Sequence, residues 1–310
     1  MGKGHVPVLL NECIEGLNIR PDGIYVDGTL GRAGHSAEIA KRLTTGRLIG
    51  IDRDMTAITE AGKTLEEYGD KITLVHGNFS KVGEILRDLG IEKVDGMLFD
   101  LGVSSPQLDD AERGFSYMND APLDMRMDRS SPLTAFNVVN EWEEQELKRI
   151  LFEFGEERYA PRIASAIVSA RKEKPIETTF ELVEVIRKAM PAAALREKQH
   201  PAKRSFQAIR ISVNDELTAV SEMMGAAMDA LNVGGRLAVI SFHSLEDRIV
   251  KNAIRARENG CTCPPEFPVC VCGFKQTIKS VSRKPIVPAS KEMEENPRAR
   301  SAKLRVAERI

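Results

Sequence analysis

The sequence predicts a parallel α/β sheet interrupted by an inserted all-helical domain. Three observations carry this. Short apolar runs alternate with stretches of helical period four times between residues 24 and 100. The first run is followed at once by glycines at 28, 31 and 34. The alternation then stops at Asp100 and resumes only near Glu216.

Val6 to Leu17 reads as a lead-in and a helix. In Ile24 to His35, IYVDGTLGRAGH, an apolar run reaches Asp27, the glycines follow, and Ile39, Ala40 and Leu43 recur at helical spacing in a helix expected over Ser36–Leu43. Strand, glycine turn and helix build a small-molecule cradle at the carboxyl end of a parallel strand. Glycine reaches positive φ and lets a ligand approach the backbone, while a helix amino terminus offers unpaired N–H groups. The spacing is G-x-x-G-x-x-G rather than G-x-G-x-x-G, so the glycines alone leave open a turn that binds nothing.

RLIGID makes a second strand ending at Asp52, 24 residues beyond Gly28. Near that interval an acidic side chain grips ribose hydroxyls. The alternative use, capping a helix from Met55, suits Asp54 better. Helix Met55–Tyr68 leads to ITLVHGNF, a third strand ending at Gly77, Asn78 and Phe79, where Phe79 meets an adenine or joins the core. Helix Val82–Leu89 leads to a fourth strand, VDGMLFD, ending at Asp100.

Residues 101–133 are rich in turn residues and charge, and connections of such length are usually functional. Helical stretches at Glu143–Phe154, Glu157–Lys172 and Phe180–Ala189 follow, with Leu147, Ile150 and Leu151, then Ile163 and Ile167, at three- and four-residue steps. Residues 107–213 thus form an inserted helical domain, and 1–106 with 214–310 one discontinuous domain. Helix Glu216–Leu231 stops at Asn232-Val-Gly-Gly, RLAVISFHS makes a fifth strand, and helix Leu245–Arg257 follows. FKQTIKSV and AKLRVAE read as a closing antiparallel pair.

Net charge is −2 from 44 basic and 46 acidic side chains, and it is unevenly placed. Gly273 to Ile310 holds ten Lys/Arg against four Glu, net +6, so the preceding residues carry −8. A second basic run, Leu195 to Arg210, includes Arg196, Lys198, Lys203, Arg204 and Arg210. Two such runs in an otherwise acidic chain point to a polyanionic partner. No apolar run nears the roughly 20 residues that span a bilayer, and no leader pattern opens the chain, so a cytoplasmic protein is expected.

A nicotinamide cofactor fits poorly, because the glycine spacing is wrong and the sheet closes with a hairpin. An acid after each of the first, second and fourth strands, with L-x-x-G-G-x-L before the fifth, suits an S-adenosylmethionine-dependent methyltransferase. More specific are DGTLGRAGHS (27–36), FDLGVSSPQLDDAERGFSYMNDAPLDMRMD (99–128), HPAKRSFQAIRISVNDEL (200–217), SFHSLEDRIVK (241–251) and ENPRARSAKLRVAE (295–308). With these the chain, from His5 to its end, resembles the RsmH (MraW) family of bacterial 16S ribosomal RNA cytosine-N4 methyltransferases.

The resemblance implies a class I methyltransferase (Rossmann-like) sheet with an inserted all-helical domain, S-adenosyl-L-methionine as cofactor, and a cytidine in the decoding region of the small ribosomal subunit as substrate. Carried onto matching positions, it implies cofactor contacts at Ala33, Gly34 and His35, at Asp52 for the ribose, Phe79 for the adenine, and Asp100 and Gln107 for the methionine end. Where the family has Gly-Gly-His this chain has Ala33-Gly34-His35, and an alanine there calls for a negative φ. A methyltransferase for another RNA or DNA amine, and a non-catalytic RNA-binding assembly factor, are the alternatives.

Methyl transfer to an exocyclic amine is an in-line displacement, and the cytosine amine is a poor nucleophile because its lone pair is delocalised. The enzyme must align nitrogen, methyl and sulfur and accept hydrogen bonds from the amine, with the base exposed from any stack. Asp100, or a carbonyl or hydroxyl within Gly102–Ser105, is the candidate acceptor; the competing role for Asp100 is the cofactor's amino group. His243 is a candidate base or a structural hydrogen-bonding residue. Lys203, Arg204, Arg210, Arg298, Arg300, Lys303 and Arg305 are candidate phosphate contacts. Cys261, Cys263, Cys270 and Cys272, in C-x-C-x6-C-x-C, could hold a tetrahedral zinc, structural rather than catalytic, or form a reduced surface loop. Cys13 is expected to be a small buried side chain.

Overall fold

The structure, a computed structural model, describes residues 7–264, 266–269 and 271–310. Its backbone divides into two units, Met1–Gly102 with Leu217–Ile310, and Val103–Glu216.

In the first unit, β1 (Ile24–Asp27), β2 (Arg47–Asp52), β3 (Ile72–His76), β4 (Val94–Asp100), β5 (Leu231–Ser241), β6 (Ile278–Ser280) and β7 (Lys303–Arg309) form one sheet in the order β3-β2-β1-β4-β5-β7-β6. The first five strands are parallel; β7 runs antiparallel to β5, and β6 antiparallel to β7. The inner strands are covered on both faces, so they read as continuous apolar runs rather than alternations. Side chains still alternate between two cores. Met97 and Phe99 pack with Val220 and Met223 on one face, while Leu98 packs with Leu9, Cys13 and Ile39 on the other. Each such buried side chain is worth about 1.5–3 kcal/mol of transfer free energy.

Strand order reverses between β1 and β4. The carboxyl ends of β1, β2 and β4 therefore open onto one rim, the switch point where parallel sheets bind ligands. At the opposite end of β4, Asp95 ties three segments together. It accepts from Ile24 N (2.8 Å) and Asn232 Nδ2 (2.8 Å) and pairs with Arg20.

Several element ends differ from expectation for local reasons. The helix after the glycine turn covers Gly34–Ala40 rather than Ser36–Leu43. The next helix stops at Thr64, short of Tyr68, and a 3-10 turn takes Glu66–Lys71. The third strand ends at His76 because Asn78 caps a 3-10 turn at Phe79, accepting from Ser80 N at 3.0 Å. Helix Glu216–Ala230 runs directly into β5 at Leu231, and the expected Gly-Gly stop is an irregularity within that strand, where Gly234 takes φ 81°.

The second unit packs helices Ala135–Glu141, Glu144–Glu153, Ala160–Glu173, Thr179–Ala189 and Lys203–Asn214 around Val138, Ile150, Ile163, Ile186 and Ile209. The first and last of these helices were not anticipated. Lys203–Asn214 reads as a basic run until Phe206, Ile209 and Val213 are seen facing the core. Within residues 101–133 only Ser105–Asp109 is α-helical and Ala111–Arg113 a 3-10 turn, and side-chain-to-backbone bonds hold much of the rest. Buried Arg113 donates to the Arg126 and Met127 carbonyls (2.9 Å each), and buried Asn214 bonds both Met127 N (2.8 Å) and Met125 O (2.7 Å). Among the described residues no helix is long and apolar enough to cross a membrane.

Candidate functional site

The rim of the first unit is built from the glycine turn outward. β1 ends at buried Asp27, whose carboxylate accepts from Thr29 N (3.1 Å) and from Ser36 Oγ (2.6 Å). The Thr29 hydroxyl accepts from Asp100 N at 2.6 Å. One threonine thus fastens the turn after β1 to the end of β4. Sequence reasoning passed over Thr29 and Ser36; the only signal was their position two and nine residues after Asp27.

Gly31 has φ 49°, and a Cβ there would meet only Thr29 O at 3.9 Å, so its backbone borders open space. Its N–H donates to Asp52 Oδ2 at 2.9 Å, and Asp52 Oδ1 accepts from Asp54 N at 2.8 Å. The helix at Met55 is capped by Asp54, which accepts from Thr56 N at 3.0 Å. Asp52 is therefore not the cap; it binds the glycine turn to the end of β2. Burial raises its pKa.

The expectation for Ala33 is overturned. It adopts φ 61° and ψ 26°, left-handed, and its methyl is fully buried. The Leu30 carbonyl accepts from Ala33 N at 2.7 Å, and Ala33 O accepts from Ala37 N at 2.8 Å. These two bonds, with methyl burial, offset the roughly 1–2 kcal/mol a side chain costs in that region. The His35 ring is buried and Nε2 donates to the Val8 carbonyl at 3.0 Å.

Phe79 is partly buried. Its ring meets Phe99 edge-on with centroids 6.0 Å apart, and the Arg53 guanidinium lies 5.7 Å from its centroid. Asp100 is the chemically distinctive group. Its Oδ1 is buried and has no hydrogen-bond partner among the described residues. Desolvation, with smaller contributions from the negative charges of Asp27 and Glu246, pushes its pKa up to about 8. A buried acceptor among carboxylates is suited to a cationic donor, for instance an ammonium. Gln107 belongs to the second unit, where its side chain closes a capping box: Oε1 accepts from Ser104 N at 3.0 Å.

His243 is the N-cap of helix Ser244–Glu258, in a capping box with buried Glu246, whose Oε2 accepts from Phe242 N at 2.8 Å and whose Oε1 lies 3.1 Å from His243 Nε2. Three expected phosphate contacts are engaged internally. Arg210 makes a bidentate pair with buried Glu216 (both 2.8 Å), and Arg305 pairs with Asp247 (2.7 Å), which Lys303 approaches at 3.4 Å. His200 stacks on Tyr117 at 4.5 Å, and burial lowers its pKa. Lys203 and Arg300 are exposed. Sγ atoms of Cys261, Cys263 and Cys272 converge within 4.8 Å of one another; Cys270 lies outside the described residues, and Cys13 is buried.

Residues 2–310 match the family model described as the MraW methylase family. The chain is 58% identical over 307 residues to the ribosomal RNA small subunit methyltransferase H of Brevibacillus brevis, covering 99% of this chain and 98% of that protein. It is 56% identical over 307 residues to the protein of the same name from Finegoldia magna, with the same coverage. A third relative of that name, from Heliobacterium modesticaldum, is 56% identical over 308 residues and is covered to 98%.

Proposed function

The chain belongs to the MraW methylase family, and from that membership we propose that it methylates the exocyclic N4 amine of a cytidine in the decoding region of 16S ribosomal RNA, within the small ribosomal subunit. S-adenosyl-L-methionine is the cofactor, and when bound it supplies an electrophilic methyl group on a sulfonium. The observation that carries the reading for this chain's own residues is the buried, unpartnered Oδ1 of Asp100, an acceptor that a cationic amino-acid end would satisfy.

In this reading Asp100 receives the amino group of the cofactor's methionine moiety. Asp52, at the end of β2, receives ribose hydroxyls, and the 31–35 backbone lies along the ligand. Phe79 offers an aromatic surface to the adenine. The residues present fit the group: the carboxyls of Asp52 and Asp100 offer acceptors to ribose hydroxyls and to an ammonium, Asp100 giving up its proton as the cation binds. The protein's part in the transfer is to hold the donor in line with the amine and to exclude water. No general base is assigned, and the proton of N4 passes to solvent after transfer.

The test is transfer of labelled methyl to unmethylated small subunits and, in parallel, to protein-free 16S RNA, with the nucleosides identified by mass. N4-methylcytidine from subunits is the expected product. No methylcytidine from either substrate, with cofactor binding demonstrated, overturns the choice of substrate.

A further inference from the structure

We propose that Cys261, Cys263 and Cys272 hold a structural zinc ion that closes the segment between helix Ser244–Glu258 and β6. The legs of this segment are fixed to the first unit. Thr277 N donates to Arg257 O at 3.1 Å, and Ser280 bonds Glu258 through both N (2.7 Å) and Oγ (2.9 Å). Phe274 packs so closely on Gly260 that a Cβ there would come within 2.8 Å of its ring. Beyond that neck, none of the described residues 261–273 belongs to an apolar core. Phe267, Val269 and Val271 are 50%, 70% and 72% exposed. A segment that buries so little apolar surface cannot offset its conformational entropy by packing, so a cross-link is what would hold it in one conformation.

The three sulfurs have the geometry of one. Cys261 and Cys272 Sγ lie 3.7 Å apart, too far for a disulfide at about 2.05 Å. Zinc–sulfur bonds of about 2.3 Å in a tetrahedron place sulfurs about 3.8 Å apart. Cys263 Sγ completes a triangle within 4.8 Å and accepts a hydrogen bond from Val271 N at 3.3 Å, which fixes the sulfur in place beside the other two. Gly273, directly after Cys272, takes φ 71° and turns the chain away from the cluster. A borderline-soft divalent ion is what such a thiolate set selects. A structural site takes a fourth ligand; Cys270 lies outside the described residues and is not needed for the inference. The cluster is separate from the strand-end rim, so the ion would stabilise the fold and take no part in methyl transfer.

The test is elemental analysis of the full chain, purified under reducing conditions without chelator, followed by exchange of the bound metal for cobalt. About one zinc per chain is expected, together with thiolate-to-cobalt charge-transfer absorption and the intense visible bands of a tetrahedral cobalt site. Cys263→Ser should lose most of the zinc and those bands, while Cys13→Ser should keep both. Thermal unfolding should fall with chelator in the parent chain and be indifferent to it in Cys263→Ser. A folded parent chain without stoichiometric zinc overturns the proposal. So does zinc that survives in Cys261→Ser, Cys263→Ser and Cys272→Ser alike, or a Cys261–Cys272 disulfide found by mass in a zinc-free chain.

Discussion

The hydroxyl of Thr29 accepts a hydrogen bond from Asp100 N at 2.6 Å, joining the turn after β1 to the last residue of β4. Thr29 N also donates to buried Asp27 at 3.1 Å, so one residue meets two carboxylate-bearing strand ends. Thr29→Val keeps the shape and the backbone bond and removes the hydroxyl's bond to Asp100 N. Leaving the Asp100 N–H without its acceptor should cost about 1–3 kcal/mol. A lower melting temperature and weaker S-adenosylmethionine binding by calorimetry are expected, and Thr29→Ser should restore both. Unchanged cofactor affinity in Thr29→Val would show that the tether does not position Asp100.

Asp100 gives a pH dependence whose sign follows from its pKa of about 8. Between the unfolded-state value of about 4 and that folded value, the folded chain holds a proton that the unfolded chain has released. Its contribution to stability is therefore fully present below about pH 4 and is lost as pH rises through the window to about 8. The ligand-free protein should melt progressively lower across this range, and Asp100→Asn should flatten the trend. Cofactor binding should strengthen as pH rises towards 8, because the cation needs the carboxylate ionised. Asp100→Ala distinguishes its two candidate roles: lost cofactor affinity assigns it to binding, whereas lost turnover at intact affinity assigns it to the target amine.

Ala33 is expected to tolerate glycine and reject a branched side chain. Relief of the left-handed backbone and loss of a buried methyl nearly cancel, so Ala33→Gly should be neutral or stabilising by up to about 1 kcal/mol. Ala33→Val, β-branched at φ 61° in a fully buried position, should destabilise by more than about 2 kcal/mol. Equal melting temperatures for both variants would contradict the left-handed conformation.

The basic side chains should separate into two classes. Lys203→Ala and Arg300→Ala should leave melting unchanged and lower the salt dependence of RNA binding by about one counterion each. Arg210→Ala strands the buried carboxylate of Glu216 and should cost about 3–5 kcal/mol. Thermal melts and binding isotherms over a salt series separate the two classes; a stable Arg210→Ala with a reduced salt slope would move that residue to the RNA-contacting class.

Asp95 offers a stability test remote from the rim. Asp95→Ala leaves Ile24 N, Asn232 and Arg20 without their common acceptor. A loss of about 2–4 kcal/mol is expected in denaturant unfolding.

The sequence by itself determined the parallel strands and their ends. An apolar run buried on both faces needs no partner to be recognisable, and Asp27, Asp52 and Asp100 each stand where such a run stops. It also carried the family, because long motifs such as LDMRMD are specific whatever their geometry. What it could not decide was which polar groups are already spent. Nothing local distinguishes the Arg210 that closes on Glu216 from the exposed Lys203, or shows that His35 is turned towards Val8. Nor does any residue preference place Ala33 in a left-handed turn. These outcomes depend on groups far apart in the chain competing for the same buried donors and acceptors. Only the tertiary structure excludes water from some of them and leaves Asp100 Oδ1 without a hydrogen-bond partner among the described residues.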